Sequence, residues 1–252
     1  MSNFRCIAIT PYYKEHRKTL ERCINSVKAQ SLACEQLMIA DGHPQDWLDE
    51  AGVRHLRLDR SHGDYGNTPR GLGAMLALAE EYDALFFLDA DNWLEHTHVE
   101  ECLLAARQAF TDASLCDYVI AKRAFRRPDE TVMPLGEDPG HVDTNCFFFL
   151  RGSFHLLPLW ITMPKAVALF GDRIFLKLLD SVKLQGATTR FATVNYLCTW
   201  PRLYLSIGEA VPAGIDPDKA LDPRPILATM KALTDREREI ARRLLGGMQL
   251  GF

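Results

Sequence analysis

The 252-residue sequence has no internal repeat, no low-complexity tract and no Ser/Gly-rich run, and its 13 Pro and 16 Gly are ordinary fractions. A collagen-like, fibrous or largely disordered chain is thereby excluded. Basic residues are not in excess, since 29 Lys and Arg stand against 33 Asp and Glu for a formal net charge of -4. Such a balance offers no general attraction for a polyanion, so nucleic acid is not an expected partner. The 7 Cys form no CxxC pair and no Cys/His cluster with zinc spacing. Several sit in apolar stretches, where free Cys behaves as a small hydrophobe, and a reducing, cytoplasmic setting is expected. No basic segment leads into a long apolar one at the start, so no signal peptide is expected. The most apolar stretch, residues 146–164, carries Arg151 and His155 and is broken by Pro158. No transmembrane segment of about 20 residues is expected from it.

Periodicity supplies the organisation. Phe4-Arg5-Cys6-Ile7-Ala8-Ile9-Thr10 is a short β-like run, and Leu20, Cys23, Ile24 and Val27 follow at helical spacing within residues 17–30. Gln36-Leu37-Met38-Ile39-Ala40 stops at Asp41-Gly42, and the alternating residues 53–58 stop at a polar stretch rich in Gly and Asp. Pro69 suits the first turn of a helix over 70–82, and Ala84-Leu85-Phe86-Phe87-Leu88 is apolar enough for a strand covered on both faces. Asn92 with Glu95 reads as a capping box opening a helix to about residue 110, and a strand at 118–121 follows. Strands alternating with helices imply an α/β fold, an open and mostly parallel central sheet with helices on both faces, binding its ligand beyond the carboxyl ends of the strands.

After residue 122 the alternation gives way to a polar connection, a Phe-rich strand at 145–150 and a helix over about 172–184, whose apolar residues fit the 3.6 period. The expected division is one domain over 1–222, with a nucleotide-binding half to 121 and an acceptor-side half from 122. A helical tail over 223–252 follows, mixed in charge between Arg236 and Arg243. A solvated face or an oligomer contact is the default for that tail, and peripheral contact with an anionic membrane is a minority alternative.

The sharpest chemical signal is Phe87-Leu88-Asp89-Ala90-Asp91. In extended backbone, residues i and i+2 project to the same side about 6.5–7 Å apart. Hard divalent cations take one or two carboxylates and complete their shell with substrate phosphates, so Asp89 and Asp91 are read as a site for Mg²⁺ or Mn²⁺ and a nucleotide-sugar diphosphate. The bland alternative, acids capping the next helix, needs only one such side chain, and Asn92 already supplies it.

Order along the chain adds specificity. Thr10-Pro11-Tyr12-Tyr13-Lys14-Glu15 after the first strand, residues 21–30 in the first helix, Asp41-Gly42 after the second strand, Gly66-Asn67 with Arg70 before the next helix, and residues 87–93 together resemble the family 2 glycosyltransferases of the GT-A fold. The resemblance implies that Thr10 or Tyr12 contacts the nucleoside, that Asp41 accepts a hydrogen bond from the base, and that Asp89 and Asp91 hold ribose and metal-diphosphate. Asp41-Gly42 is equally an ordinary turn dipeptide, and Tyr13 competes with Tyr12 for its role. Arg70 is expected as the ion-pair partner that orients Asp41.

Gly171-Asp172 before the later helix resembles the family's acidic element, with Gly where Glu is commoner, and implies that Asp172 is the catalytic base of an inverting transfer. An N-terminal cap is its structural alternative. Residues 141–145, including His141 and Asp143, resemble the segment lining the sugar and acceptor pocket, although a lone His in such a loop is more often a surface residue. The last His is His155, so a late His metal ligand is not expected. Trp160, Trp200 and residues 147–149 are aromatics able to stack on a sugar ring, although aromatics at this density are usually core and the Phe run is read as core; Trp93 reads as a pocket wall.

The expected function is metal-dependent transfer from a nucleotide-diphosphate donor, a UDP-sugar first, to a saccharide or glycoconjugate acceptor. The alternative is a non-catalytic binder of nucleotide-sugar or glycan, favoured by Gly171. A nucleotidyltransferase is disfavoured because residues 10–15 contain no Gly for a triphosphate loop.

Overall fold

A computed structural model describes residues 4–110, 112, 115–137, 141–216 and 234–245. The early strands become the parallel half of a mixed, eight-stranded sheet. At its centre β1 (Cys6–Tyr12) pairs in parallel with β2 (Glu35–Asp41) and with β4 (Ala84–Phe87), and β3 (Arg54–Leu58) extends the sheet beyond β2. Every residue of β1 and β4 is buried, which explains why these strands read as continuous apolar runs rather than alternating ones. Direction then reverses. β7 (Phe147–Leu150) runs antiparallel to β4 and to β6 (Tyr118–Arg126), β8 (Gly186–Leu197) lies parallel to β6, and β5 (Trp93–Leu94) closes that edge against β8.

Helices cover both faces. α1 (Arg17–Lys28) and α3 (His98–Ala109) bury Cys23, Val27, Val99 and Cys102 against one face, together with Cys6, Ala8, Phe86 and Phe148. On the other face α2 (Asn67–Ala79), α4 (Leu159–Thr162) and α5 (Gly171–Ser181) bring Ala74, Ala77, Trp160, Phe175 and Leu179 onto Ile7, Ile9, Phe87, Phe147 and Phe149. The three consecutive Phe of β7 serve both layers because side chains alternate along a strand. Phe147 and Phe149 stack with centroids 5.6 Å apart on the α5 side, while Phe148 stacks on Phe86 at 5.8 Å on the other. Each buried ring contributes about 2–3 kcal/mol of transfer free energy.

α2 lies close on the sheet at Gly73 and close on α4 at Gly71, because neither position carries a side chain. A Cβ at Gly73 would sit 2.5 Å from Ile9 Cγ2 and 2.9 Å from Ile39 Cδ1, and one at Gly71 would overlap Ile161. That seating brings the first turn of α2, and Arg70 with it, over the carboxyl ends of β1 and β4.

Two local readings change. The expected capping box does not open a helix, for α3 begins at His98, Trp93 and Leu94 form β5, and Asn92 Oδ1 accepts a hydrogen bond from Leu197 N at 2.8 Å. A partner 105 residues away wins over the local cap. No element is expected at 186–197, yet these residues form the twelve-residue β8, whose exposed and buried positions alternate only in its first half. Beyond β8 come α6 (Pro201–Ser206) and α7 (Asp235–Leu245), where Arg238 pairs with Asp235 and Arg243 with Glu239. The expected boundary at 222/223 and the expected ends of the tail helix lie outside the described residues. Among the described residues no helix is long and apolar enough to cross a membrane.

Gly73→Ala is expected to lower the unfolding free energy by about 1–3 kcal/mol through overpacking, read from urea denaturation. Unchanged stability would mean that α2 can lift off the sheet without cost.

Candidate active site

The carboxyl ends of β1, β2 and β4 open into a pocket of about 650 Å³, closed on its far side by residues 143–144, the start of α5 and residues 196–200. It stands where an open α/β sheet offers its crevice.

Asp89 and Asp91 follow β4 directly and both line the pocket, but their surroundings differ. Asp89 is held on all sides. Its Oδ1 takes the guanidinium of Arg70, its Oδ2 accepts from Asn145 Nδ2 at 2.9 Å, and its backbone N–H donates to Asn145 Oδ1. Asp91 has its backbone carbonyl fixed by Arg22 NH2 at 2.7 Å, while no described side chain donates to its carboxylate. Burial, then the charges of Asp89, Glu15 and Asp143, push the Asp91 pKa up to about 7. Adjacent acids in one motif thus divide into one that is structurally tied and one left with uncompensated charge.

Arg70 is 5% exposed, and its NH1 donates to Tyr65 O at 2.7 Å. The expected pairing of Arg70 with Asp41 is corrected here, because its ion-pair partner is Asp89. Asp41 instead holds the loop after β3, accepting from His62 N at 3.0 and 3.1 Å, from the His62 ring Nδ1 at 2.7 Å and from Ser61 Oγ at 3.3 Å. Gly42, with φ +81°, makes that approach possible, since a Cβ there would overlap the Arg60–Ser61 peptide. Asp41 still lines the pocket.

Thr10 does not reach the pocket. It is fully buried and accepts from Gln36 Nε2 at 2.9 Å. Tyr12 borders it, but its side chain is 2% exposed, packs on Leu20, Ile24 and Met38, and has its hydroxyl taken by His55 Nε2 at 2.8 Å and by Gln45 N at 3.0 Å. Tyr13, 40% exposed, lines the same wall. Trp93 is not a wall, for its ring carries the Arg22 guanidinium at 3.9 Å behind the pocket. Trp200 lines the pocket instead and donates from Nε1 to Tyr196 OH at 2.8 Å. Trp160 is core.

On the far side Asp172 lines the pocket from the first turn of α5. The residue at the cap position is Phe170, and Asp172 is the second residue of the helix, its Oδ1 accepting from Arg173 N at 2.7 Å and its Oδ2 lying 2.7 Å from His141 Nε2. Gly171 is not a vacancy for a longer side chain, because a Cβ there would come within 2.9 Å of Trp160 and 3.1 Å of the Asn67 amide. Asp143 accepts from Asn145 N at 3.0 Å and Nδ2 at 2.6 Å. Burial raises the Asp143 pKa, Arg123 at 3.4 Å opposes that, and Asp89 adds to it. Asn145 therefore bridges the Asp89 turn to the far wall. Asn145, His62 and Tyr196 are the contributors least legible in sequence, since each acts through a partner supplied by tertiary contact.

Among the described residues, Glu15, Asp41, Asp64, Asp89, Asp91, Asp143 and Asp172 line a pocket to which Arg70 alone brings a guanidinium or ammonium. Among the described residues no group of three or more His, Cys, Asp and Glu is arranged to hold a metal ion. The carboxylates form a field rather than a closed coordination sphere.

Residues 7–156 match the model of glycosyl transferase family 2, and the fold is of the GT-A type. The chain belongs to glycosyl transferase family 2 and is a glycosyltransferase. No curated protein sequence matches it. Among solved structures it is similar to residues 1–349 of S. aureus TarS in complex with UDP, at 13% identity and TM-score 0.56, covering 96% of this chain and 70% of that one. A crystal structure of S. aureus TarS gives the same identity and TM-score with 43% of that chain covered. The 1–349 complex with UDP-GlcNAc gives 13% identity, TM-score 0.52 and 71% coverage of that chain.

Asp91 sets a pH dependence. With its folded pKa near 7 against an ordinary 3.8, the native state keeps a proton that the unfolded chain loses between those values. Its contribution therefore lowers stability as pH rises through that window, by about 1.4 kcal/mol per unit at most. In EDTA, Asp91→Asn should stabilise the protein more at pH 8 than at pH 4, measured by denaturant titration at both. An equal effect at the two pH values would show that Asp91 is already compensated.

Proposed function

We propose that this glycosyltransferase uses Mg²⁺ or Mn²⁺ to transfer a sugar from a UDP-sugar to a hydroxyl of a saccharide or glycoconjugate, with inversion at the anomeric carbon. The uncompensated Asp91 carboxylate carries this reading. A diphosphate would be repelled by a pocket so rich in carboxylates, and the residues present fit a divalent cation between the two. Asp91 and Asp89 are the residues that would hold it, Asp89 through the lone pairs that Arg70 and Asn145 leave free. When bound, such a cation stabilises negative charge on the departing diphosphate.

The protein's own groups supply the remainder. Tyr13, exposed on the wall beside the buried Tyr12, is the candidate contact for the nucleoside, and Asp41 is the candidate acceptor for the base, held in place by His62. Arg70 and Asn145 fix Asp89 so that ribose and diphosphate meet a preformed surface. Asp172 is the base. It accepts the acceptor's hydroxyl proton as that oxygen bonds to the anomeric carbon and the bond to the diphosphate oxygen breaks, its electron pair leaving with UDP. One displacement with a base on the acceptor side gives inversion. The choice of UDP is supported by the similar fold of S. aureus TarS, solved with UDP and with UDP-GlcNAc.

Calorimetry of UDP binding with and without Mn²⁺ should show metal-dependent affinity in the wild type that Asp91→Asn abolishes. Unchanged affinity in the variant would overturn the assignment. A thermal-shift panel of UDP, GDP, CMP and dTDP sugars identifies the donor by mass action, with the largest stabilisation expected for a UDP-sugar. Asp172→Asn should cut turnover by about 100-fold or more while sparing UDP binding, and near-normal turnover would return Asp172 to a purely structural place in the first turn of α5.

A further inference from the structure

The pair formed by His141 and Asp172 joins segments 31 residues apart through a 2.7 Å contact at the far wall of the pocket. Asp172 lines the pocket and His141 does not, so the imidazole stands behind the carboxylate as seen by a ligand. Both side chains are largely withdrawn from solvent, at 24% exposure for His141 and 14% for Asp172. The other Asp172 oxygen already accepts from the backbone N–H of Arg173. A carboxylate on a single backbone hydrogen bond can still swing about its terminal torsion, which is broad and roughly two-fold. A second donor on the opposite oxygen removes that freedom and leaves the unused lone pairs facing the pocket.

We infer that His141 is a positioning residue for the transfer, donating from Nε2 to Asp172 Oδ2 so that the carboxylate is aimed at the acceptor hydroxyl. The inference rests on the reading of Asp172 as base. In the step served, the acceptor O–H proton passes to Asp172, the acceptor oxygen bonds to the anomeric carbon, and the bond from that carbon to the UDP oxygen breaks with its electron pair on UDP. His141 neither gains nor loses a proton overall. It has the place relative to Asp172 that an orienting group has relative to a base in other acid–base pairs, with the imidazole here as the orienting partner.

The test measures UDP release from UDP-GlcNAc, UDP-glucose and UDP-galactose with water as acceptor and Mn²⁺ present, using the donor that the wild type turns over fastest. His141→Ala should lower kcat by about 10- to 100-fold with little change in KM. UDP affinity and melting temperature should stay near wild type, and added imidazole should restore part of kcat. His141→Gln, which keeps an N–H donor, should fall between the two. In an Asp172→Asn background, His141→Ala should cost nothing further, because the group it positions is gone. Full kcat in His141→Ala beside an inactive Asp172→Asn overturns the inference and leaves Asp172 as base. Near-normal kcat in Asp172→Asn, or no turnover of any donor by the wild type, overturns the parent reading and the inference with it. If His141→Ala fails to fold, His141→Gln and the double variant decide, and equal kcat loss by His141→Gln in both backgrounds contradicts the inference.

Discussion

Carboxylates crowd the carboxyl ends of β1, β2 and β4, and the crevice that they line receives one guanidinium, which Asp89 consumes. Everything else in the site follows from how that charge is distributed. Asp89 is neutralised by Arg70 and clamped by Asn145, Asp41 is tied to His62, Asp143 faces Arg123, and Asp172 is held by His141 and its own helix. Glu15 accepts from Tyr13 N and Asp64 from Thr68 N, and Asp91 alone among these acids receives no hydrogen bond from another described residue. Burial and then the neighbouring negative charges make it costly to ionise near neutral pH, a cost that a proton or a ligand of opposite sign relieves. The fold thus stores an electrostatic vacancy at one defined atom pair instead of building a closed metal cage.

The scaffold holds this arrangement because the strands ending at the site are its best-buried parts. β1 and β4 are covered on both faces, and the Phe rings of β7 interleave with Phe86 and Phe87 to fix the level of the Asp89 turn. Gly73 lets α2 sit low on the sheet and Gly71 lets it pack on α4, which places Arg70 within reach of that turn. Asn145, at the entrance to β7, completes the link from the other side, so the parallel and antiparallel halves of the sheet meet at one carboxylate.

Features governed by local pattern were legible in the sequence. The strands expected at 4–10, 36–40 and 84–88, the helices expected over 17–30, 70–82 and about 172–184, and the Asp89/Asp91 pair on its strand end all follow from periodicity and residue type, each element within a few residues of its observed bounds. Features set by distant partners were not. Asn92 has a cap residue's chemistry but spends it on Leu197, Arg70 has a choice of acids and takes the one that α2 places under it, and Thr10 faces Gln36 across the β1–β2 pair rather than the crevice. β8 escaped notice because its burial loses the two-residue period halfway along. The resemblance of residues 141–145 pointed at His141 as a pocket residue, whereas Asp143 lines the pocket and His141 stands against Asp172, a partner that only folding supplies.

The central claim is that the vacancy at Asp91 is filled by a cation shared with a nucleoside diphosphate. Anomalous scattering from a crystal grown with Mn²⁺ and UDP tests it most directly. One strong peak is expected within coordination distance of an Asp91 carboxylate oxygen and of the diphosphate. UDP seated in the crevice with no peak beside Asp91, or with Mn²⁺ bound elsewhere, would contradict it.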